Sequence, residues 1–400
     1  MYDVIIVGAG PAGSSAARFL IQSGINVLVL DKTHFPRNKP CGGAISPRGW
    51  QKYPELSELM EISTNFGVLS YKQPDFSIKF SKEEPIACYV RRIQFDNDLL
   101  NLAKHTGAEV KEGVRIKSIK YEINQVIVST NDGESYSSKY LLGADGVNSF
   151  VRKSSMLQQF WNKKTIALIF MNEILLGKEK IEKMFPEGRT SFAHLGYKGP
   201  TGYGWVFPKR EHINFGFGEV LSNKSASIIY SDYFNFLQYC NKIGVLPNLT
   251  DPLPKPLAWQ LQMGGPMKHF AAGRVLLVGD AAGFVHPVSG EGILYAIWSA
   301  QIATECIKNA LNNQQSLEIL NKNYETKCWK EFALDLKKME IVHKIGVKQL
   351  SLFFRLAQKY PMLGQSLIGI VEGNLSYSQI KRRIMKRMIV GLFKGNMWKK

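Results

Sequence analysis

The sequence predicts a mixed α/β (α+β) fold with a parallel sheet, a second, antiparallel sheet and a helical C-terminal region. Three patterns support this fold class. An apolar run at 4–7 passes through a glycine-rich turn into a helical pattern, which is how a Rossmann-type unit begins. Alternating runs over 165–174 and 212–218 are typical of antiparallel strands. From about residue 331, apolar residues recur at helical spacing.

The glycine-rich turn has the spacing Gly-x-Gly-x-x-Gly, formed by Gly8, Gly10 and Gly13. These glycines let the backbone approach a pyrophosphate, and the helix that follows offers free N–H groups and the positive end of its dipole. A second apolar run, 27–30, ends at Asp31, where a carboxylate can accept hydrogen bonds from a ribose. The start of the chain is therefore predicted to bind an adenine dinucleotide.

Two later turns indicate that this dinucleotide is FAD. In each of them an apolar strand pattern leads into a small residue and an acid, at Asp145 and at Asp280. A nicotinamide enzyme has no use for two more such turns, whereas a flavoprotein does. Asp280 is predicted to hold the ribityl or ribose-phosphate part of FAD. The helix N-terminus after Gly292 is predicted to direct its dipole at the flavin N1–O2 edge, where reduced flavin carries negative charge.

The three turns resemble those of the large FAD-dependent group that includes the aromatic-ring hydroxylases. Three further segments are similar to the geranylgeranyl reductase family within that group. They are Lys39-Pro40-Cys41-Gly42-Gly43, the helix start at 92–96, and the Tyr-x-Trp-x-Phe-Pro pattern at 203–208. The hydroxylases usually carry His where this chain has Gly283, and this difference favours reduction over oxygen chemistry.

The resemblance implies a flavoenzyme that saturates carbon–carbon double bonds of geranylgeranyl or related polyprenyl chains, above all those of isoprenoid membrane lipids. Its substrate would be a polyprenyl lipid or diphosphate, and an external nicotinamide or low-potential protein donor would supply the electrons. Residues of the turns and of the matching segments are expected to contact FAD: Gly8, Gly10, Ala12, Gly13, Asp31, Cys41, Gly42, Gly43, Arg92, Val114, Asp145, Asp280, Gly290, Gly292 and Ile293.

Cys41 is the candidate catalytic residue. An isolated isoprenoid double bond is not polarised, so the expected route is proton delivery to the less substituted carbon with hydride transfer to the developing tertiary cation. Such a site must be dry and apolar, and it must hold a flexible chain in place. The resemblance places the Cys41 thiol near the flavin, where it would position substrate or relay a proton. A buried, inert cysteine is the alternative.

Three aromatic residues are the candidates for a substrate site. Tyr203, Trp205 and Phe207 alternate along a predicted strand, so they project to one face and can form an apolar wall. Ordinary sheet core is the alternative. Lys209 follows them and is predicted to approach a phosphate head group. For His286 an acid role and a packing role both stay open, whereas Arg92 is expected to hold an FAD phosphate or the loop around it.

The net charge is +18 and is unevenly distributed: the segment 376–400 has eight basic residues and no acid. On a helix its apolar and basic residues fall on opposite sides, which predicts an interfacial anchor on an anionic membrane. A helix packed on the body of the protein is the alternative. No nucleic-acid recognition motif accompanies the charge, so nucleic acid is not expected as a partner.

The cysteines predict a reducing compartment. The chain has five, at 41, 88, 240, 306 and 328, without a Cys-x-x-Cys pair, so neither a metal site nor a disulfide framework is indicated. No run approaches the ~18 apolar residues that a spanning helix needs, and the chain starts on a core strand rather than a signal peptide. These features predict a cytoplasmic protein with peripheral membrane association.

The motifs also predict how the chain is divided. A discontinuous FAD-binding domain is expected at 1–50, 86–155 and 265–330, a substrate (cap) domain at 51–85 and 156–264, and a helical region at 331–400. Two other functions stay open. One is a flavin-dependent monooxygenase of the hydroxylase or epoxidase type. The other is a membrane-docked flavoprotein that passes electrons to a quinone, although the iron–sulfur cysteine cluster usual in such carriers does not occur in the sequence.

Overall fold

The computed structural model describes residues 1–359 except 248 and 250–252, together with 368, 369, 377, 379 and 382; the side chains of 73–76 are not among those described. Apart from 377, 379 and 382, the basic segment 376–400 lies outside the described residues, and so does the interfacial anchor predicted there. The predicted fold class is confirmed: two large sheets, one with a parallel centre and one mainly antiparallel, are followed by helices.

The described residues form the strands β1 (Tyr2–Val7), β2 (Val27–Leu30), β3 (Ala44–Ile45), β4 (Ile62–Thr64), β5 (Phe66–Tyr71), β6 (Gln73–Ser81), β7 (Ala87–Tyr89), β8 (Glu109–Lys111), β9 (Ile116–Tyr121), β10 (Val126–Thr130), β11 (Ser135–Gly143), β12 (Ile166–Leu175), β13 (Thr190–Leu195), β14 (Tyr203–Pro208), β15 (His212–Val220), β16 (Leu257–Gln262), β17 (Ala271–Ala272) and β18 (Val275–Leu277). The α-helices are α1 (Pro11–Gln22), α2 (Pro47–Lys52), α3 (Arg92–His105), α4 (Phe150–Ser154), α5 (Lys178–Met184), α6 (Ala226–Lys242), α7 (Ile293–Asn312), α8 (Leu317–Cys328) and α9 (Leu334–Lys359).

The first sheet brings the predicted turns together. Its centre is parallel in the order β18-β11-β1-β2-β8, and β17, β10 and β9 add antiparallel pairs. Val7 lies opposite Leu30 and Gly143, and Gly143 lies opposite Leu277, so four strands end along one edge. The turns after these strands therefore meet at the carboxyl edge of the sheet, where open α/β folds bind ligands.

The second sheet has two differently packed faces. Its strand order is β16-β12-β15-β14-β13-β5-β6, and every pair is antiparallel except β13 with β5. Val206 and Phe215 face a core closed by α6. Trp205 packs with Ile169 and Met171 in a separate cluster on the other face. The strands predicted over 165–174 and 212–218 are β12 and β15, and both are confirmed.

A small third sheet and the last described helix lie beside the two large sheets. The third sheet has the order β3-β7-β4. Leu350 and Phe354 of α9 pack against Leu69 and Tyr71 of β5. No helix in the described part of the chain is long and apolar enough to cross a bilayer. The strands of the first sheet come from 2–30, 109–143 and 271–277, but the domain boundaries stated above stay a prediction.

Candidate active site

A cavity of about 960 Å³ opens at the carboxyl edge of the parallel strands, and residues of both large sheets line it. This volume is at the upper end of the range for ligand pockets in proteins. The turns at Gly8, Asp145 and Asp280 line its polar end. Its other end is lined by apolar side chains of the second sheet and of α9, among them Leu69, Ile169, Leu195, Leu261, Val347, Leu350 and Phe353.

The Asp31 carboxylate fastens the glycine-rich turn. One of its oxygens accepts a hydrogen bond from Ala9 N at 2.7 Å, and the other accepts from Thr33 N at 2.8 Å and Thr33 Oγ1 at 2.6 Å. Gly8 has φ +102°, and a Cβ on Gly13 would lie 1.8 Å from the Gly8 carbonyl oxygen. Only glycine fits at these two positions. The bare backbone of Gly8 faces the cavity, whereas Gly13 packs against Gly8 and does not line it.

The two later acids have acceptor atoms available to a ligand. Asp145 Oδ2 accepts hydrogen bonds from Phe150 N at 2.6 Å and Val151 N at 3.0 Å, whereas the buried Oδ1 has no partner among the described residues. Burial raises the pKa of Asp145. A Cβ on Gly292 would lie 3.1 Å from Asp280 Oδ1, so Asp280 sits at the start of α7. A buried acceptor, a helix N-terminus and a bare backbone turn fit the hydroxyls, ring edge and phosphates of FAD.

A group of cations beside these turns was only partly predicted. The Asp96 carboxylate accepts hydrogen bonds from Arg92 Nε and Arg92 Nη2, both at 2.7 Å, and it forms a salt bridge with Arg37 at 3.0 Å. Burial alone would lower the pKa of Arg92, but Asp96 and Cys41 raise it above its usual value. Arg37 reaches the glycine-rich turn, since a Cβ on Gly10 would lie 3.5 Å from its Nη2. Arg37 was not predicted as a site residue, although its place in the loop after the acid at the end of β2 was a signal for it.

Lys39 was also missed as a site residue. Its ammonium lies 4.0 Å from the centre of the Trp259 ring and faces the cavity. No carboxylate of the described residues lies within ion-pairing distance of it. Burial, with Arg92 adding to it, lowers the pKa of Lys39 to about 8, although Asp280, Cys41 and Asp96 oppose the shift. The cavity is therefore lined by a half-buried ammonium that forms no ion pair with a carboxylate of the described residues.

The loop of Cys41 lies against the aromatic strand. Gly43 N approaches Cys41 Sγ at 3.3 Å, and Asn214 Nδ2 donates to the Cys41 carbonyl at 3.1 Å. A Cβ on Gly42 would lie 2.8 Å from the Phe207 ring. Cys41 is a free, half-buried thiol that lines the cavity. The structure thus brings together the two segments on which the predicted chemistry depends.

The three aromatic side chains of β14 form a wall, as their alternation predicted. The ring centres of Tyr203 and Trp205 are 5.9 Å apart, those of Trp205 and Phe207 are 6.4 Å apart, and all three rings line the cavity. Trp205 Nε1 donates to Asn214 Oδ1 at 2.8 Å, which fixes the orientation of the indole. The prediction that they share one face is confirmed.

Lys209 does not reach the cavity, so its predicted contact with a phosphate head group needs correction. Its side chain is fully buried, and its Nζ donates to Val90 O at 2.7 Å and to the Glu173 carboxylate. Burial alone would raise the pKa of Glu173, but Lys209 holds it below its usual value. The ammonium is already neutralised by an acid on β12, and because β15 lies between β12 and β14, the pair ties the end of β14 to a strand two places away in the sheet.

His286 has a packing role in the turn before α7. Its Nδ1 is bonded to Ser289 N at 3.1 Å and Ser289 Oγ at 2.9 Å. Burial, with Arg48 and His343 adding to it, lowers the pKa of His286 to about 3. The imidazole is therefore neutral at physiological pH, and of the two roles left open the structure favours the one that shapes the turn.

The comparisons with known proteins agree with this geometry. A family model described as FAD binding domain matches residues 1–333, and the protein is an FAD-dependent oxidoreductase. The chain is 30% identical to the digeranylgeranylglycerophospholipid reductase of Picrophilus torridus over 81% of its own length and 82% of that protein. It is 27% identical to the menaquinone reductase of Mycobacterium tuberculosis over 76% of each chain.

A solved structure shares the whole fold. The crystal structure of a geranylgeranyl bacteriochlorophyll reductase-like protein from Thermoplasma acidophilum matches with a TM-score of 0.79 and 21% sequence identity. The match covers 96% of this chain and 98% of that protein's chain. The chain belongs to the geranylgeranyl reductase family.

Proposed function

We propose that this protein saturates carbon–carbon double bonds of geranylgeranyl or similar polyprenyl chains, with an isoprenoid membrane lipid or a polyprenyl diphosphate as substrate. The observation that carries the proposal is the single cavity, in which the dinucleotide turns continue into an apolar end walled by aromatic rings. A charged ligand part needs the first end, and a long hydrocarbon chain loses contact with water in the second. An external nicotinamide or low-potential protein would supply the electrons.

Each part of the cavity has a distinct task in this proposal. Bound FAD would supply the hydride. The backbone at Gly8 and Gly10, with Asp145 and Asp280, would hold the dinucleotide. Trp205 and its two neighbouring rings would press the double bond against the reacting face and exclude water. The Cys41 thiol would fix the position of the chain or relay a proton, as proposed from the sequence.

The position of Gly283 supports reduction rather than hydroxylation. Gly283 has φ +79°, and a Cβ there would lie 2.8 Å from the carbonyl oxygen of Gly265. The His that the hydroxylases usually carry at this place could therefore not be accommodated without moving the backbone. A monooxygenase of the hydroxylase type is the outcome that the test below must distinguish.

The test is the mass of the product. Holoenzyme reduced with dithionite under anaerobic conditions should add hydrogen in steps of two mass units to a geranylgeranyl lipid or diphosphate, and the same mixture without enzyme should leave it unchanged. If every polyprenyl substrate stays unchanged in mass but gains oxygen once a nicotinamide donor and air are supplied, the enzyme is a monooxygenase and the proposal fails.

We propose further that the protein works on the surface of an anionic membrane, from the cytoplasmic side. The amphipathic pattern of 376–400 is one support. Helix α9 offers another, because its outer face carries four apolar side chains that are 48, 54, 59 and 53% exposed, namely Leu334, Ile341, Ile345 and Leu352. At ~100° per residue these lie within about 40° of each other. The opposite face of α9 lines the cavity, so a lipid would pass from the bilayer to the site along one helix.

Vesicle binding tests this location. Replacing Ile345 and Leu352 by Ser together should weaken co-sedimentation with anionic vesicles at least about 30-fold, because each apolar side chain buried in the interface contributes roughly 1–2 kcal/mol and the two together roughly 2–4 kcal/mol. Ile123→Ser is the matched control, since Ile123 is 89% exposed on the turn between β9 and β10. Deleting 376–400 should weaken binding further and salt should weaken it likewise. If all variants bind vesicles as strongly as the wild type, the proposed membrane association is wrong.

A further inference from the structure

Glu291 is a buried acid in the turn that faces the flavin site. It lies between Gly290 and Gly292, directly before α7, and it lines the cavity with only 8% of its surface exposed. The two glycines were predicted to bind the cofactor, but no role was predicted for Glu291.

One carboxyl oxygen of Glu291 has a hydrogen-bond partner among the described residues and the other has none. Oε1 accepts a hydrogen bond from Ser46 N at 2.9 Å. Oε2 is buried and has no hydrogen-bond partner among the described residues, and none of their cations forms an ion pair with the carboxyl. A carboxylate in this setting would have one buried oxygen without a hydrogen bond, and a proton on Oε2 lowers the free-energy cost of burying the group.

The groups around Glu291 do not compete with it as acids near neutral pH. Burial lowers the pKa of His286 to about 3 and that of His343 on α9 to about 4, so both imidazoles are neutral. Burial raises the pKa of Tyr295 on α7 above its usual value. Arg48 on α2 is a cation within electrostatic reach of the carboxyl. Among these neighbours Glu291 is the carboxyl group whose burial favours the protonated form.

We propose that Glu291 is the acid that supplies the proton for saturation of the double bond, an inference that rests on the function proposed above. Burial raises the pKa of Glu291, although Ser46 and Arg48 oppose the shift, and this favours the neutral acid. Arg48 then becomes the nearby positive charge that stabilises the carboxylate left after transfer.

The O–H bond of Glu291 breaks, and its proton forms a C–H bond with the π electrons at the less substituted carbon. The hydride from the reduced cofactor forms the second C–H bond at the more substituted carbon, so the alkene gains two electrons and two hydrogens and the flavin is oxidised. The carboxylate regains its proton from water before the next turnover.

Glu291→Gln is the decisive variant, because glutamine keeps the acceptor for Ser46 N and cannot act as the acid. The reduced holoenzyme is mixed anaerobically with geranylgeranyl diphosphate, and the return of oxidised-flavin absorbance is followed. We expect unchanged FAD content and a rate constant lower by about 10²–10⁴-fold. The matched control is Glu219→Gln, since Glu219 is a fully buried carboxyl with an unpartnered Oε2 that does not line the cavity. It should match the wild type.

The pH profile gives a second, independent readout. The wild-type rate constant should fall as pH rises through the pKa of Glu291, and Glu291→Asp should shift that fall, whereas Cys41→Ala should retain it. A rate constant for Glu291→Gln within threefold of wild type overturns the inference. If that variant loses FAD, a flat wild-type pH profile overturns it instead. Wild-type enzyme that no polyprenyl substrate reoxidises contradicts the proposed function itself.

Discussion

The two ends of the cavity are built in different ways. At the dinucleotide end, backbone turns and charged groups converge from the ends of neighbouring parallel strands, and Asp31 ties the first turn to its own loop by hydrogen bonds of 2.6–2.8 Å. At the apolar end of the cavity, side chains come from β5, β12, β14 and α9, which lie far apart in the sequence. The construction of the first end suits a ligand with fixed charges and a fixed shape, whereas the second end offers an apolar surface that suits the hydrocarbon chain proposed above.

The largest effect should come from the glycine-rich turn. Gly13→Ala would place a Cβ 1.8 Å from the Gly8 carbonyl oxygen, so we expect a loss of about 3 kcal/mol in the free energy of unfolding and no FAD in the purified protein. Gly10→Ala is the matched variant, because its Cβ would have its nearest contact with Arg37 at 3.5 Å. It should fold normally yet bind FAD more weakly, as measured by thermal unfolding and flavin fluorescence. Equal melting temperatures for both variants would contradict this account of the turn.

The aromatic wall should affect turnover and spare the cofactor. Trp205→Ala removes the central ring and should lower kcat/KM about 10²-fold with little change in FAD affinity, since the wall orients substrate. Trp205→Phe retains a ring and loses only the hydrogen bond to Asn214 at 2.8 Å, so it should lose much less. Steady-state kinetics with parallel FAD titrations checks both variants. A parallel fall in FAD affinity would mean that the two ends of the cavity are not independent.

Lys39 should make FAD affinity depend on pH. Its lowered pKa of about 8 means that the free protein loses this positive charge as pH rises through 8, and FAD affinity should weaken from there upward. Lys39→Met should bind FAD about tenfold more weakly at pH 7 and without that pH dependence, whereas Lys39→Arg should stay charged and bind evenly from pH 7 to 9. Fluorescence titration at each pH tests this, and an unchanged wild-type affinity at pH 9 would contradict it.

The smallest effect is expected for Cys41. Cys41→Ala should slow saturation of the substrate by less than about tenfold, because the loop is held from its backbone by Asn214 at 3.1 Å and not by the thiol. FAD content should not change. A loss as large as that of Trp205→Ala in the same single-turnover measurement would give the thiol a direct part in the chemistry.

The contrast between the two ends also explains what could be predicted from the sequence. The turns at Gly8, Asp145 and Asp280 were predicted because each is a local pattern with a physical reason for its spacing. The shared face of Tyr203, Trp205 and Phe207 followed from the two-residue period of a strand. Neither inference needs knowledge of distant contacts.

The remaining features depend on long-range pairing. The phosphate contact predicted for Lys209 needed correction because Lys209 forms an ion pair with Glu173 instead. That pair forms only when β12 and β14 come to lie in one sheet, which no local sequence pattern shows. The helix α9 was predicted from its spacing, but its position as a wall of the cavity depends on packing against β5. The state of the Glu291 carboxyl also depends on a distant contact, because Ser46 N donates a hydrogen bond to Oε1 and leaves Oε2 without a partner among the described residues.

The most direct test of this account is the dependence of binding on chain length. Reduced holoenzyme is mixed anaerobically with prenyl diphosphates of two, three and four isoprene units, and the apparent Kd is taken from the rate of flavin reoxidation. The account predicts at least a tenfold tighter Kd for each added unit, because each buried CH₂ contributes about 0.8 kcal/mol. A Kd that does not change with chain length would contradict the assignment of the apolar end to a polyprenyl chain.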